Sequence, residues 1–309
     1  MLIPPPLRTG DLVAIVPTAR AIRHEELQDA VTFLEAHGLR VALGEGVGRK
    51  DFQQAGTAME RRSDLQRMID DPEVKAIWCA RGGYGTVHLL GSLDLGPLQR
   101  DPKWVIGFSD VTALHNLLHR EGVASLHAQM PFMIGRKSEA TRISLLNALF
   151  HEEHPIETKS LAGYRSGEAR APLVGGNLSV LYSLRGTAYD MDPAGKILFL
   201  EDLDELNYHM DRMLQNLALG GWFRQLAGLI VGGMSDMRDK DERDPFGRSP
   251  EAVIRELVQG TNYPVCFGFP AGHEDDNRAL VLGAVNSLNV ENGDVSLRLG
   301  PDQFRSNLL

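Results

Sequence analysis

Three residues whose types suit acyl transfer each follow an apolar run of the chain: Ser109, Glu201 and His273. A nucleophilic serine needs a neutral imidazole that takes its proton, and the imidazole needs a carboxylate that fixes its tautomer. The order Ser, Glu, His is the chain order found in α/β-hydrolases, although order alone is a weak signal. These positions predict a serine-based catalytic triad built from residues at strand ends.

Each of the three residues also has an ordinary structural interpretation. Ser109 and Asp110 precede a helical pattern, and both residue types are preferred helix caps. Glu201 begins an acidic run, residues 201–205, that would also suit a solvated turn. His273 would also suit an exposed loop. All three residues share the same position after an apolar strand, which raises the support for the triad to the level of these structural alternatives, and both interpretations stay open here.

A glycine-rich turn, Arg81-Gly82-Gly83-Tyr84-Gly85, follows another apolar run. Glycines let a ligand approach the backbone closely and leave amide groups free to point at an anion. The turn therefore predicts an oxyanion hole made by the backbone amides of Gly83, Tyr84 and Asp110. A phosphate site or a simple tight turn would suit these residues equally well. Dinucleotide binding is disfavoured because no G-x-G-x-x-G follows the first strand, and the P-loop pattern is also absent.

Three other histidines have weaker interpretations. We expect His127, which ends a predicted strand, to contact substrate together with Arg81, and a core position is the equal alternative for the histidine. His115 and His119 lie one helical turn apart, as a pair of metal ligands would. An ordinary helix surface is favoured for this pair because no third ligand accompanies it. We expect neither a metal nor a cofactor.

Strand and helix patterns alternate over residues 1–150. Apolar strands are predicted at 12–16, 40–43, 74–80, 104–108 and 124–127, and helices at 25–37, 58–70 and from Val111 onward. This alternation predicts a parallel sheet with helices on both faces, in which ligands lie beyond the carboxyl ends of the strands. Pro17-Thr18, the glycine-rich turn and Ser109 all fall at those ends. Residues 45–57 are glycine-rich and polar, and are predicted to be a loop or a lid.

The pattern breaks after Phe150. Residues 151–171 are polar and lack a helical period, so they are predicted to be a linker between a domain of residues 1–150 and a domain of residues 172–309. In the second domain, strands are predicted at 197–200, 229–231 and 265–269, and helices at 208–219 and 249–259. Residues 279–299 alternate around Glu291-Asn292-Gly293-Asp294, which predicts an antiparallel hairpin or meander.

The length of 309 residues and the amino-acid composition fit a two-domain globular protein. The net charge is −9 and no lysine-arginine cluster stands out, so nucleic-acid binding has no electrostatic footprint. Cys79 and Cys266 lie in apolar runs and are expected to be core residues rather than a disulfide. The sequence shows neither a signal peptide nor an apolar run of membrane-spanning length, so we expect a cytoplasmic protein without membrane contact.

The chain resembles the LD-carboxypeptidases (murein tetrapeptide carboxypeptidases), serine peptidases that include the microcin C self-immunity peptidases. The shared motifs, spread over nearly the whole chain, are Leu7-Arg8-Thr9-Gly10-Asp11, Arg81-Gly82-Gly83-Tyr84-Gly85, Gly107-Phe108-Ser109-Asp110, Phe199-Leu200-Glu201-Asp202, Met210-Asp211-Arg212-Met213-Leu214 and Gly272-His273. The resemblance maps the family's nucleophile, carboxylate and histidine to Ser109, Glu201 and His273. It also implies a flavodoxin-like parallel-sheet amino-terminal domain, a smaller β-rich α/β carboxyl-terminal domain, a site between them, and a homodimer.

The activity that this resemblance implies is cleavage of an L,D-peptide bond, with release of terminal D-alanine from murein tetrapeptides in cell-wall recycling. Two alternatives stay open: a self-immunity peptidase that cleaves a peptide-nucleotide conjugate, and a non-catalytic protein that binds a small anion. Two departures from the family pattern leave the substrate in question. Val16-Pro17-Thr18-Ala19 stands where A-P-S is frequent, and His127-Ala128-Gln129-Met130 stands where H-G-P-M is common.

Overall fold

The computed structural model describes residues 1–150, 155–241 and 243–300. The strands are β1 (Leu12–Val16), β2 (Arg40–Leu43), β3 (Val74–Cys79), β4 (Trp104–Gly107), β5 (Ser125–His127), β6 (Ile156–Lys159), β7 (Gly167–Asn177), β8 (Ile197–Leu203), β9 (Gly228–Ser235), β10 (Val265–Phe267), β11 (Leu280–Leu282), β12 (Val285–Glu291) and β13 (Asp294–Leu299). The helices are α1 (Gln28–Ala36), α2 (Ala58–Asp70), α3 (Gly96–Arg100), α4 (Thr112–Arg120), α5 (Glu139–Phe150), α6 (Leu178–Ser183), α7 (Asn207–Leu219) and α8 (Pro250–Leu257).

The described chain divides into two compact units. The first consists of residues 1–150 and 275–283, and the second of residues 155–241, 243–274 and 284–300. The segment predicted to be a linker, residues 151–171, contains β6 and the beginning of β7, so its described part is not a structureless connection. The sequence signal was weak because β6 is a short strand with one buried apolar residue, Ile156.

The first unit is built on a six-stranded sheet in the order β11-β5-β4-β3-β1-β2. Strands β1 to β5 are parallel, and β11 pairs antiparallel with β5 at one edge. The order 2-1-3-4-5 is flavodoxin-like, which confirms the predicted fold class of this half. Every residue of β4 is buried, as expected of a central parallel strand covered on both faces. In this topology the ligand crevice lies where the order reverses, beyond the carboxyl ends of β1 and β3.

The second unit is built on a seven-stranded sheet in the order β10-β9-β8-β7-β12-β13-β6. Strands β7 to β10 are parallel, whereas β12, β13 and β6 add antiparallel pairs. The long strand β7 joins the two parts, because its residues up to Pro172 pair with β12 and those from Leu173 pair with β8. Gly175 lies in the second part at φ +129, where a Cβ would overlap the carbonyl oxygen of Phe199. Only glycine permits this close strand approach.

The carboxyl-terminal hairpin is present as predicted. Strands β12 and β13 are joined by Asn292 and Gly293, whose φ angles of 50° and 89° are the positive values that a two-residue hairpin turn requires. The first residues of the same alternating segment behave differently, because β11 pairs with β5 in the sheet of the first unit. An alternating pattern predicts a half-buried strand, but it does not predict which strand pairs with it in a sheet.

Several smaller features bear on the sequence-based expectations. Cys79 and Cys266 are buried free thiols, and burial raises the pKa of each to about 12. Residues 45–57 form a loop whose backbone is hydrogen-bonded to the segment after β1, through the amide of Ala21 to the carbonyl of Gln53 and the amide of Ala55 to the carbonyl of Ala19. No helix in the described ranges combines the length and apolar character that crossing a membrane demands.

Candidate active site

Ser109 occupies a sharp turn between β4 and α4. Phe108 is extended at φ −151, and Ser109 is left-handed at φ +62, a conformation that costs an L-residue about 1–2 kcal/mol. Gly107 makes the turn possible, since a Cβ there would lie 2.8 Å from a methyl of Val111. A strained serine on a strand-to-helix turn is the geometry of a nucleophile elbow. The alternative of a helix cap is not realised, because α4 begins without a side-chain cap hydrogen bond in the described chain.

The carboxylate of Asp110 ties the elbow to the neighbouring strand ends. It accepts a hydrogen bond from the amide of Thr86 at 2.8 Å, and the hydroxyl of Thr86 donates to that of Thr18 at 3.1 Å. The buried guanidinium of Arg61 donates to the carbonyls of Thr18 and Gly85. Burial lowers the pKa of Arg61, while the charge of Asp110 acts to raise it. The ends of β1, β3 and β4 are thus held by one buried polar network.

The glycine-rich turn lies directly against Ser109. A Cβ at Gly82 would lie 3.3 Å from the Cβ of Ser109 and 3.1 Å from Cε of Met130, so a side chain there would crowd the serine. Gly83 and Gly85 have φ angles of 105° and 137°, which other residues rarely adopt. Within the part of the chain that the structure describes, no hydrogen bond is donated by the amides of Gly83 or Tyr84.

The two residues predicted to contact substrate, Arg81 and His127, differ in their burial. Arg81 is partly exposed, with its guanidinium 4.1 Å from the ring centre of Phe132 and 3.8 Å from a carboxylate oxygen of Glu26. His127 is fully buried in β5, with its ring centre 5.8 Å from that of Phe108. The structure therefore keeps Arg81 at the carboxyl edge of the sheet and favours the core alternative for His127.

His115 was expected on a helix surface, and this expectation was wrong. Its side chain is buried, Nε2 donates to the carbonyl of Gly107 at 2.9 Å, and Nδ1 accepts from the hydroxyl of Ser125 at 2.8 Å. Burial lowers the pKa of His115 to about 4, so the ring is neutral at physiological pH. The expectation failed because α4 is buried along most of its length, including its polar residues. In the described residues, no three His, Cys, Asp or Glu side chains are grouped as metal ligands.

Glu201 and His273 are paired in the second unit. The Nδ1 atom of His273 lies 2.7 Å from Oε2 of Glu201, which is fully buried. Because a carboxylate only accepts, Nδ1 carries the proton and leaves Nε2 with the basic lone pair of a neutral imidazole. Strand β8 continues to Leu203, so Glu201 lies within the strand rather than after it, where the register against β9 shifts. Neither a solvated turn nor an exposed loop describes this pair.

Glycines seat the histidine loop against Glu201 and β9. Gly272 has a φ of 113°, and a Cβ there would lie 2.7 Å from Oε2 of Glu201. The amide of Gly233 donates to the carbonyl of Ala271 at 3.0 Å, and a Cβ at Gly232 would overlap that carbonyl. The glycine before His273 is therefore needed for the carboxylate to reach the ring.

Asp202 is a buried carboxyl that sequence reasoning left without a role. It accepts hydrogen bonds from the side-chain amide of Asn177 and the backbone amide of Ser179, each at 2.9 Å. Burial, followed by the charge of neighbouring Glu201, raises the pKa of Asp202 to about 7. The sequence signal for this separate position was that Asp202 directly follows Glu201 in a strand, because successive strand residues face opposite sides of the sheet.

Comparisons with known proteins agree with this architecture. Residues 13–128 match the LD-carboxypeptidase N-terminal domain, and residues 170–288 match the LD-carboxypeptidase C-terminal domain. The chain is 34% identical over 293 residues to a probable murein peptide carboxypeptidase of Bacillus subtilis, covering 93% of this chain and 91% of that protein.

Solved structures share the fold. The muramoyltetrapeptide carboxypeptidase from Oxalobacter formigenes is 27% identical with a TM-score of 0.85, covering 94% of this chain and 98% of that one. The self-immunity protein MccF in complex with glutamyl sulfamoyl guanosine has a TM-score of 0.86 at 22% identity, covering 97% and 99%, a likeness of fold alone. Matching domains in both halves and a relative aligned over nearly the whole length show that this chain belongs to the LD-carboxypeptidase family, whose members are serine-type carboxypeptidases.

Proposed function

We propose that this protein is a serine carboxypeptidase that cleaves an L,D-peptide bond and releases terminal D-alanine from murein tetrapeptides. The observation that carries the proposal is the buried Glu201–His273 hydrogen bond, 2.7 Å long, which prepares the imidazole as a base. The strained turn at Ser109 supports it from the first unit, because it holds a hydroxyl at the carboxyl edge of the sheet.

In the first half of the proposed reaction, Oγ of Ser109 attacks the carbonyl carbon of the scissile amide while Nε2 of His273 takes the hydroxyl proton. The carbonyl oxygen becomes an oxyanion that accepts hydrogen bonds from the amides of Asp110, Gly83 and Tyr84. The amides of Gly83 and Tyr84 suit this role because no acceptor within the described residues engages them. The intermediate then collapses, the C–N bond breaks, and His273 returns the proton to the leaving amine of D-alanine.

In the second half, a water molecule attacks the acyl-serine ester. His273 takes a proton from the water and then gives it to Oγ of Ser109, which frees the shortened peptide with a new carboxylate. Glu201 holds Nδ1 of His273 by its hydrogen bond and stabilises the imidazolium that forms twice per turnover. The family resemblance also supports a homodimer and a cytoplasmic place of action, which analytical ultracentrifugation and cell fractionation would test.

The test of the proposed function is the conversion of Ser109 to alanine. We expect the purified protein to release D-alanine from a murein tetrapeptide and Ser109→Ala to lower kcat by about 10⁴-fold or more. Ser63→Ala, a matched change at an exposed position of α2, should leave kcat unchanged. Near-wild-type turnover by Ser109→Ala would refute the mechanism.

Two further substrates in the same assay separate the alternatives. A tetrapeptide that ends in L-alanine tests the stereochemistry of the cleaved bond, and it should be a poor substrate. A peptide-nucleotide conjugate tests the self-immunity alternative, which the MccF-like fold keeps relevant. Binding of these compounds without turnover of any of them would favour the non-catalytic alternative.

A further inference from the structure

Two arginines flank the glycine-rich turn. The side chain of Arg20 lies across Gly83, so that a Cβ on this glycine would overlap it. The amide of Arg20 donates to the carbonyl of Gly82 at 3.4 Å, and Nη1 of Arg81 donates to the carbonyl of Ala21 at 3.5 Å. The segment after β1 and the segment after β3 therefore hold two guanidinium groups on the same turn.

The positive charge of this pair is only partly neutralised. Within the described residues, no carboxylate lies within ion-pair distance of Arg20. Arg81 has Glu26 at 3.8 Å, but the same carboxylate binds Arg23 more closely, at 3.2 Å. Burial lowers the pKa of the Arg81 guanidinium, and the charge of Arg20 lowers it further, as expected of like charges held close together. A chain with a net charge of −9 thus keeps two cations together at its candidate nucleophile.

The rigid part of this arrangement is Arg81. Its guanidinium faces the ring of Phe132 at 4.1 Å, and the amide of Phe132 donates to the carbonyl of Ala80 at 3.1 Å. The side-chain amide of Gln129 donates to the carbonyl of Phe132 at 3.0 Å. An arginine held over an aromatic ring is oriented before a ligand arrives, which lowers the entropy lost on binding.

Both arginines are attached within one residue of the glycine that lies against Ser109. In any carboxypeptidase substrate, three bonds separate the attacked carbonyl carbon from the carbon of the terminal carboxylate, a span of at most about 4 Å. The group that binds the carboxylate must therefore lie about one residue away from the attacking oxygen. Gly82 contacts Ser109, and the two arginines are attached at Arg81, the residue before it, and over Gly83, the residue after it.

We propose that Arg20 and Arg81 form the subsite for the terminal α-carboxylate of the substrate. This assignment rests on the proposed function and deepens it, because it explains how the same nucleophile is limited to the last peptide bond. A peptide that continues beyond the scissile bond, or that ends in an amide, brings no anion to the exposed Arg20 and the half-buried Arg81, so it gains no ion pair with them.

The experiment compares a tetrapeptide that ends in a free carboxylate with the same peptide ending in a carboxamide. For the wild type we expect kcat/KM to be much higher for the acid. Arg20→Met and Arg81→Met should each lower kcat/KM for the acid by about 10- to 100-fold, the loss expected for a charge-assisted hydrogen bond, and change the amide rate little. Arg20→Lys should retain part of the preference for the acid.

The control is Arg40→Met, which removes an equal charge from the same unit. Arg40 is the first residue of β2, at the amino ends of the parallel strands, whereas the glycine-rich turn lies at their carboxyl ends. The Arg40→Met variant should therefore leave the acid-to-amide ratio of kcat/KM unchanged. If Arg20→Met and Arg81→Met lower both rates equally, the residues are structural and the subsite is refuted. Unchanged rates for both substrates refute it as well.

Binding to Ser109→Ala separates failure of the subsite from failure of the proposed function. If the wild type hydrolyses neither peptide, the proposed function fails, and calorimetry with this variant still measures whether the acid binds more tightly than the amide. Loss of that preference in Arg20→Met and Arg81→Met supports the subsite, and equal binding of acid and amide overturns it. A peptide-nucleotide conjugate supplies a phosphoryl anion instead, and a larger effect of the two variants on its binding would contradict the carboxylate assignment.

Discussion

Replacing Ser109 by glycine should leave the protein more stable than replacing it by alanine, the reverse of the usual order. At φ +62 an L-residue pays about 1–2 kcal/mol that glycine does not. Glycine loses roughly 0.5–1 kcal/mol more than alanine through backbone entropy on folding. The difference favours Ser109→Gly by about 0.5–1 kcal/mol. Both variants lack the hydroxyl, so both are expected to be inactive, and the comparison isolates the backbone strain of the wild-type turn.

The assay is urea unfolding of the two variants followed by circular dichroism, with the midpoint and slope of each transition compared. The control is the same pair of substitutions at Ser63, an exposed residue in the interior of α2. There the free energy of unfolding of Ser63→Ala should exceed that of Ser63→Gly by about 1 kcal/mol. An order at Ser109 that matches the order at Ser63 would show that the serine is not held in a left-handed turn, and the case for a nucleophile elbow would fail.

Two other substitutions test the environment of the candidate site. Gly272→Ala places a Cβ 2.7 Å from Oε2 of Glu201, so we expect kcat to fall by about 100-fold, whereas Gly186→Ala, at a positive φ with nothing within 4 Å, should keep its kcat; equal kcat values for the two variants would contradict the role of the glycine. His115 has a folded pKa of about 4, below the ordinary 6.5, so the unfolded chain binds a proton in this range that the folded chain does not. Stability therefore falls as the pH drops from 6.5 towards 4, by up to about 3 kcal/mol. Denaturant titrations of the wild type should show this loss and His115→Gln should not; parallel pH profiles of the two proteins would refute it.

Most elements of the first unit were predictable because buried parallel strands are continuous apolar runs. Strands β1 and β2 and helix α2 have the predicted bounds, and the capping box between Thr57 and Glu60 marks the start of that helix. The pairing of β11 with β5 was not predictable, because it joins residues more than 150 positions apart. Residues 275–283 group with the first unit, a long-range association of the same kind.

The buried charges show where local patterns mislead. Arg61 lies in a helix whose sequence is strongly polar, yet it is 1% exposed because three backbone carbonyls accept its hydrogen bonds. Two of them, of Thr18 and Gly85, follow β1 and β3, and the third, of Gly56, lies in the loop before α2. Asp202 is buried for a corresponding reason, because amide groups of β7 and α6 donate hydrogen bonds to its carboxylate. A polar local sequence predicts that such residues are exposed to solvent. The groups that accept or donate their hydrogen bonds, and so allow burial, come from other parts of the chain.

The sequence by itself determined the alternation of strands and helices, the glycine-rich turn and the candidates Ser109, Glu201 and His273, because each is a local pattern of neighbouring residues. Their catalytic roles stay predictions until the variants are assayed. Only the tertiary structure decided that Ser109 is left-handed, that His273 reaches Glu201, and that two arginines share the glycine-rich turn. The last two facts depend on distances between residues far apart in the chain, which are set by the packing of the strands and not by the order of the residues. The torsion of Ser109 is local, and local sequence patterns do not specify it.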